Sequence, residues 1–259
     1  MARKKTVAHI VEAIEALFSR RGPVTLQIPK SDEFYELGQA VAKLIERFQI
    51  AQHTIFLLNQ QVRKNNRDAI MALVEALNAK DPNTYGHSER VSIYSLMLAE
   101  KMGLSSEEID DIAIASYLHD IGKIGIPEAI LNKPGRLTTE EFELIKSHPR
   151  LSCKIIAQIP NLTHIASMVK HHHERFDGAG YPDGLRGDQI PLGSKIIAIA
   201  DSFDAMTSLR SYRSAFEVRE ALDEIKRCAG GQFDPDLAEI FVDTYRKVYG
   251  DRSPSYKAS

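Results

Sequence analysis

Between Val41 and Ala76 apolar residues return at heptad spacing, and this period constrains the fold more than any other feature of the chain. With Val41 as position a, the a and d positions are Val41, Leu44, Phe48, Ala51, Ile55, Leu58, Val62, Asn65, Ala69, Ala72 and Ala76. A run of about five heptads predicts one long helix whose apolar seam meets another helix, as in a coiled coil. The competing reading is an amphipathic helix packed on its own domain. Asn65, the polar exception, is the kind of seam residue that fixes register and a two-stranded state. The seam therefore predicts a parallel homodimer through residues 41–76.

The rest of the chain also reads as helix. Ser105 with Glu108, and Thr138 with Glu141, have the spacing of capping boxes. Asp234 before Pro235 is an N-cap followed by proline at the first helical position, and Gly230-Gly231 stops the helix before it. The best strand candidate is Val24-Thr25-Leu26-Gln27-Ile28, held between Pro23 and Pro29, and it reads equally well as an extended connector. An all-α fold is expected.

Bulk properties exclude several functions. A formal net charge of −2, from 33 basic and 35 acidic residues, argues against a nucleic-acid scaffold held by bulk electrostatics. No apolar run approaches the roughly 20 residues a membrane-spanning helix needs. The basic start Met-Ala-Arg-Lys-Lys is followed by His9, Glu12 and Glu15, which is no signal-peptide core. Cys153 and Cys228 lie far apart and suggest no disulfide framework, so a reducing cytoplasm is expected.

Chemistry concentrates after residue 81. Seven of the nine histidines fall between 87 and 173, joined by Asp120, Asp201 and Asp204. Imidazole and carboxylate without nearby cysteine suit iron, manganese, nickel or zinc rather than a thiolate zinc site. His9, His53 and His164 stand alone and read as ordinary surface or core residues. His119-Asp120 is different, because it closes an apolar helix carrying Ile112, Ile114, Ala115, Tyr117 and Leu118. Burying an adjacent imidazole and carboxylate is costly unless something pairs with both. A pair of cations does so, with Asp120 bridging them and histidines from other helices completing their shells. Cations about 3.5–4 Å apart would lower the pKa of a shared water and clamp an in-line phosphoryl displacement.

His87 in Gly86-His87-Ser88-Glu89-Arg90, then His119-Asp120, resembles the HD superfamily of metal phosphohydrolases. The stretch His172-His173-Glu174-Arg175-Phe176-Asp177-Gly178-Ala179-Gly180-Tyr181-Pro182 narrows the resemblance to HD-GYP domains. So do His119-Asp120-Ile121-Gly122-Lys123-Ile124-Gly125-Ile126-Pro127, Ala200-Asp201-Ser202-Phe203-Asp204-Ala205-Met206-Thr207, and Arg210-Ser211-Tyr212-Arg213. The resemblance implies an HD-domain helical bundle that binds two divalent metals, iron or manganese first, with nickel, zinc or cobalt also compatible. His87, His119, Asp120 and Asp201 would hold one. Asp120 would bridge to a second, completed by His148, His172 and His173, leaving His171 a bystander. Lys123 would contact the scissile phosphate, and Arg210 and Arg213 would contact substrate phosphates unless they are solvated surface residues. Asp177 and Tyr181, in the Gly-Tyr-Pro loop, would bind substrate, Tyr181 by meeting a guanine unless it simply shapes the loop. Relatives with a third metal use a carboxylate one turn before the first histidine. Here that position is Asn83, so two metals are expected.

The implied activity is hydrolysis of cyclic di-GMP to linear pGpG, cut again in some relatives to GMP, by a hydroxide bridging the two metals. Two alternatives stand beside it: another cyclic dinucleotide as substrate, or a sensor that binds without hydrolysis. Residues 7–44 resemble a HAMP signalling module. A helix over residues 7–18 and a connector over 22–31 precede Asp32-Glu33-Phe34-Tyr35-Glu36-Leu37, with Tyr35 where glycine usually stands. HAMP modules usually follow a transmembrane helix, so the chain is read as a soluble variant or a fragment of a membrane-anchored receptor. The expected organisation is a HAMP-like and coiled-coil segment over 1–77, a catalytic domain over 78–250 and a disordered tail over 251–259.

Overall fold

A computed structural model describes residues 2–18, 24–27, 30, 34–80, 86–208 and 215–250. These residues are almost entirely helical, and no strand occurs among them beyond an isolated bridge between Ala229 and Phe233. Residues 24–27 take no regular structure, so that strand candidate is an extended connector over its described part.

The chain divides into two compact units, residues 1–68 and 69–259. In the first, α1 (Ala2–Phe18) buries Ile10 and Ala13, and α2 (Tyr35–Lys80) buries Ile45. Gln49 Nε2 donates to the Val24 carbonyl at 3.3 Å, fastening the connector to α2. The heptad stretch lies inside this single 46-residue helix. Its seam residues Leu44, Ile55, Leu58 and Val62 are exposed on the single chain. Asp32 and Glu33, on which the HAMP-like reading partly rests, lie outside the described residues. No helix of the described residues is long and apolar enough to cross a membrane.

The second unit begins with the last turns of α2, whose Ile70, Val74 and Leu77 enter its core. There follow α3 (His87–Lys101), α4 (Ser106–Leu118), the 3₁₀ turn Ile121–Gly125, α5 (Glu128–Leu131), α6 (Thr139–Ile145) and α7 (His148–Ile156). The chain continues through α8 (Ala166–Lys170), α9 (Leu192–Thr207), α10 (Val218–Arg227) and α11 (Pro235–Tyr249). Both expected capping boxes form: Ser105 accepts from the Glu108 amide and Thr138 from the Glu141 amide, while each glutamate reaches back. Such a cap contributes about 1 kcal/mol to its helix. Asp234 Oδ1 accepts from the amides of Asp236 and Leu237, with Pro235 opening α11.

α3 packs on α4, α9 and α11. An aromatic cluster fills the junction: Phe203 lies 4.7 Å from Tyr245, 5.1 Å from Tyr94 and 5.3 Å from Phe241, centroid to centroid. These rings anchor α9 so that its polar face, carrying Asp201 and Asp204, is presented to the start of α3.

Candidate metal centre

The centre forms where α4 ends. His119 and Asp120 follow its last turn, and the 3₁₀ turn that comes next carries Lys123. Ser152 of α7 stitches this corner down: its Oγ accepts from the Gly122 amide at 2.7 Å and donates to the His119 carbonyl at 2.9 Å. Only glycine fits at 122, because a Cβ there would lie 2.1 Å from the His148 carbonyl oxygen. The close approach brings His148, first residue of α7, onto Asp120, with Nε2 3.1 Å from Oδ1.

Four histidine rings are aimed by their Nδ1 atoms. His119 Nδ1 donates to the Ser116 carbonyl at 2.7 Å, His148 to Ile145 at 2.7 Å and His172 to Val169 at 2.6 Å. A carbonyl only accepts, so each Nδ1 carries a proton, and Nε2 is the ring atom turned inward. His87 uses a carboxylate instead, Asp204 Oδ2 at 2.8 Å. Outer partners of this kind orient metal-binding histidines and raise their basicity.

The inward atoms form three overlapping groups, each with its ligand atoms within 4.8 Å of one another. They are His87, His119 and Asp201; His148, His172 and His173; and His119, Asp120 and His172. Asp120 therefore stands between the first two, its Oδ2 3.4 Å from His119 Nε2 and 3.8 Å from His87 Nε2. All seven residues expected as metal ligands are brought together. The His119 Nε2 is fully buried with no hydrogen-bond partner among the described residues, which leaves it available to a cation. The donor set fits divalent metal ions.

Burial pushes His172 well below the ordinary histidine range and His173 to about 4, helped for His172 by the neighbouring imidazoles. Both are thus neutral near pH 7, the form that binds a metal. Burial opposes charge on Asp120, yet Lys123, His119 and the hydrogen bond from His148 hold its carboxyl well below the usual range. Asp201 is held down in the same way by His87. Burial also works against charge on His87, but its bonds to Asp201 and Asp204 raise it to about 9. Lys123 Nζ lies 2.6 Å from Asp120 Oδ2.

The loop after the histidine triplet covers one flank. Glu174 is buried and accepts the amides of Asp183, Gly184 and Leu185, at 2.7, 3.1 and 3.1 Å. Gly180 passes so close to the triplet's backbone that a Cβ would lie 2.3 Å from the Arg175 nitrogen. Tyr181 consequently lays its ring against His173, with centroids 4.9 Å apart. Burial and the charges of Asp120 and Asp201 push its phenol pKa upward. The Asp177 carboxylate pairs with Arg175 at 2.6 Å and accepts the Ala179 amide at 3.0 Å, which holds it at about 2. Arg210, Arg213 and Asn83 lie outside the described residues.

His171 belongs to none of the metal-capable groups and bonds instead to Asp183. His164, read as an ordinary surface or core residue, is exposed and paired with Asp111 at 2.7 Å. Sequence reasoning missed Arg90, whose Nε donates to Asp204 Oδ1 at 2.6 Å, and gave Asp204 no role. The signal for Asp204 was its position three residues after Asp201 on one helix, which puts both on one face. Nothing local marked Arg90 or Ser152.

An all-helical domain with a histidine–aspartate centre built for metal ions is thus defined by fold and site together. The HD domain family profile matches residues 72–237, and the chain belongs to that family. It is 40% identical over 203 residues to a cyclic di-GMP phosphodiesterase of Thermotoga maritima, covering 75% of this chain and 55% of that one. It is 34% identical over 226 residues to a 3′3′-cGAMP-specific phosphodiesterase of Vibrio cholerae, covering 84% and 43%. The chain therefore spans about half the length of the curated relatives it matches. Its fold is shared with the HD domain of the Listeria monocytogenes phosphodiesterase PgpH, solved with cyclic di-AMP. That likeness has a TM-score of 0.50 at 21% identity and covers 71% of this chain and all of that one.

Proposed function

We propose that residues 78–250 form an HD-GYP-type phosphodiesterase that hydrolyses cyclic di-GMP to linear pGpG, with GMP the product of a second cut. The observation that carries this reading is the position of Asp120: one buried carboxylate between two histidine groups, with a lysine on its Oδ2. The relatives named for cyclic di-GMP and 3′3′-cGAMP support a cyclic dinucleotide as substrate.

In this reading His87, His119, Asp120 and Asp201 would hold one metal ion, and Asp120, His148, His172 and His173 would hold a second. Iron or manganese would serve first, with nickel, zinc or cobalt also compatible, and Asn83 offers no carboxylate for a third. When bound, such ions supply positive charge to the phosphate and lower the pKa of the attacking water. Water adds to phosphorus, the bond to the 3′ oxygen breaks, and the proton given up by water ends on that oxygen. Lys123 offsets the negative charge that grows on the phosphate oxygens. Asp204 and Arg90 keep the His87 ring aimed throughout. Tyr181 meets a base beside His173, Asp177 holds the shape of the loop, and Arg210 and Arg213 grip phosphate oxygens that do not react. Residues 1–77 supply a HAMP-like, dimerising input segment.

The test is turnover by protein reconstituted with manganese or iron, offered cyclic di-GMP, 3′3′-cGAMP and cyclic di-AMP in parallel. Cyclic di-GMP should be cleaved with the highest kcat/KM, and Asp120→Ala should lose metal and activity together. Preference for another cyclic dinucleotide would move the substrate assignment while keeping the chemistry. Binding without cleavage by fully loaded protein would establish a sensor instead. An Asp120→Ala variant with full metal content and turnover would overturn the site.

A further inference from the structure

The histidine triplet faces two ways. His172 and His173 point into the metal-capable groups, whereas the residues flanking them, His171 and Glu174, both fasten the loop over residues 177–186. Glu174 does so from inside, through the three amides it accepts. The outer fastening is a convergence on one carboxylate. Asp183 Oδ2 receives His171 Nε2 at 3.0 Å and Lys170 Nζ at 2.5 Å, and its Oδ1 receives Arg150 Nη2 at 2.6 Å. Arg150 also donates to the Pro182 carbonyl at 2.8 Å. His171 is itself buried, its Nδ1 2.9 Å from the Ser167 carbonyl, so it is a fixed post rather than a swinging side chain.

We propose that Arg150, Lys170 and His171, gathered on Asp183, form a clamp that holds Tyr181 against His173 and thereby fits the site to a cyclic dinucleotide. The proposal rests on the phosphodiesterase reading above. Tyr181 sits two residues before Asp183, and its own amide bonds to the His173 carbonyl at 3.2 Å. The aromatic shelf therefore hangs between a backbone bond on one side and the clamp on the other. A small phosphodiester needs only the metal ions and Lys123. A cyclic dinucleotide extends well past the scissile phosphate and needs a shelf at a set distance from it. Exposed ion pairs are individually weak. Here three donors from α7 and the end of α8 share one acceptor whose own amide is tied to buried Glu174. Loosening the clamp shifts the shelf without touching any metal-binding atom.

The measurement compares cyclic di-GMP with bis(p-nitrophenyl) phosphate as substrates of manganese-loaded full chain, with metal content determined on the same samples. Asp183→Asn and His171→Ala should each raise KM for cyclic di-GMP about tenfold, the loss expected when a charge-assisted bond that positions a contact is removed. Metal content and kcat/KM for the small diester should stay at wild-type values. His171→Gln, which keeps a donor toward Asp183, should recover most of the loss. Deuterium exchange over residues 177–186 should quicken in Asp183→Asn and stay slow in His171→Gln. Unchanged KM for cyclic di-GMP, or an equal fall for both substrates with loss of metal, would overturn the clamp. Wild-type protein that cleaves the small diester but no cyclic dinucleotide would overturn the substrate reading, while the exchange data would still report on the clamp itself.

Discussion

Lys123 Nζ stands 2.6 Å from Oδ2 of Asp120, the carboxylate that lies between the two histidine groups. Lysine is the one cationic side chain on the 3₁₀ turn that follows Asp120, and the turn aims it back at its neighbour. A lysine placed there can offset charge on a phosphate that metal ions would hold beside Asp120.

Lys123→Ala should therefore keep its metal and lose turnover. Removing one preorganised donor to a developing oxyanion costs about 10²–10³ in kcat. Elemental analysis and steady-state kinetics on one preparation check this. Loss of metal in step with activity would make Lys123 a structural partner of Asp120.

Metal uptake should depend on pH with a defined sign. In the metal-free protein Asp201 and Asp204 bond to the His87 ring and raise its pKa to about 9. A cation must displace the proton on Nε2, so protons compete with metal at every pH below that value. Apparent affinity should rise about tenfold per pH unit between roughly 6 and 8 and level off above about 9. Competition against a chromogenic chelator measures it. A flat profile over that interval would show that His87 binds already neutral.

Gly122→Ala should destabilise the second unit by about 1–3 kcal/mol, the range for forcing a methyl group into a packed contact. Its Cβ would lie 2.1 Å from the His148 carbonyl oxygen and 2.5 Å from the Ser152 nitrogen. Relief requires α7 to retreat, which carries His148 away from Asp120, so metal affinity should fall with stability. Urea unfolding and metal titration give the two readings. A variant of wild-type stability would mean that α7 moves freely.

Ile55 and Leu58 are 58% and 59% exposed on the single chain, an arrangement that an isolated helix in water does not favour. They occupy successive a and d positions of the heptad. Wild-type protein should sediment as a dimer, and replacing both residues with aspartate should yield monomers. Wild-type protein already monomeric at micromolar concentration would return the seam to the reading of a helix packed within its own chain.

Arg210→Ala and Arg213→Ala should raise KM for cyclic di-GMP and leave kcat nearly unchanged, the pattern for grips on phosphate oxygens that do not react. Kinetics of the two single variants decide it. Unchanged KM in both would favour solvated surface residues.

What could be read from the sequence alone was what local chemistry dictates. Ser105 with Glu108 and Thr138 with Glu141 meet within one helical turn, so their capping boxes were legible from spacing. The continuous α2 followed from its heptads for the same reason. The seven histidines and aspartates at the centre were legible because their motif spacing is specific. The sequence did not show which atoms aim them. Arg90 and His87 meet Asp204 across more than 110 residues, and Ser152 reaches the His119 corner across 33. His171, adjacent to two inward-facing histidines, turns to Asp183 instead. Such pairings arise only when helices distant in the chain pack at one crossing. Packing depends on the combined shape of buried faces, which no single window of residues records, whereas a helix cap depends on residues one turn apart.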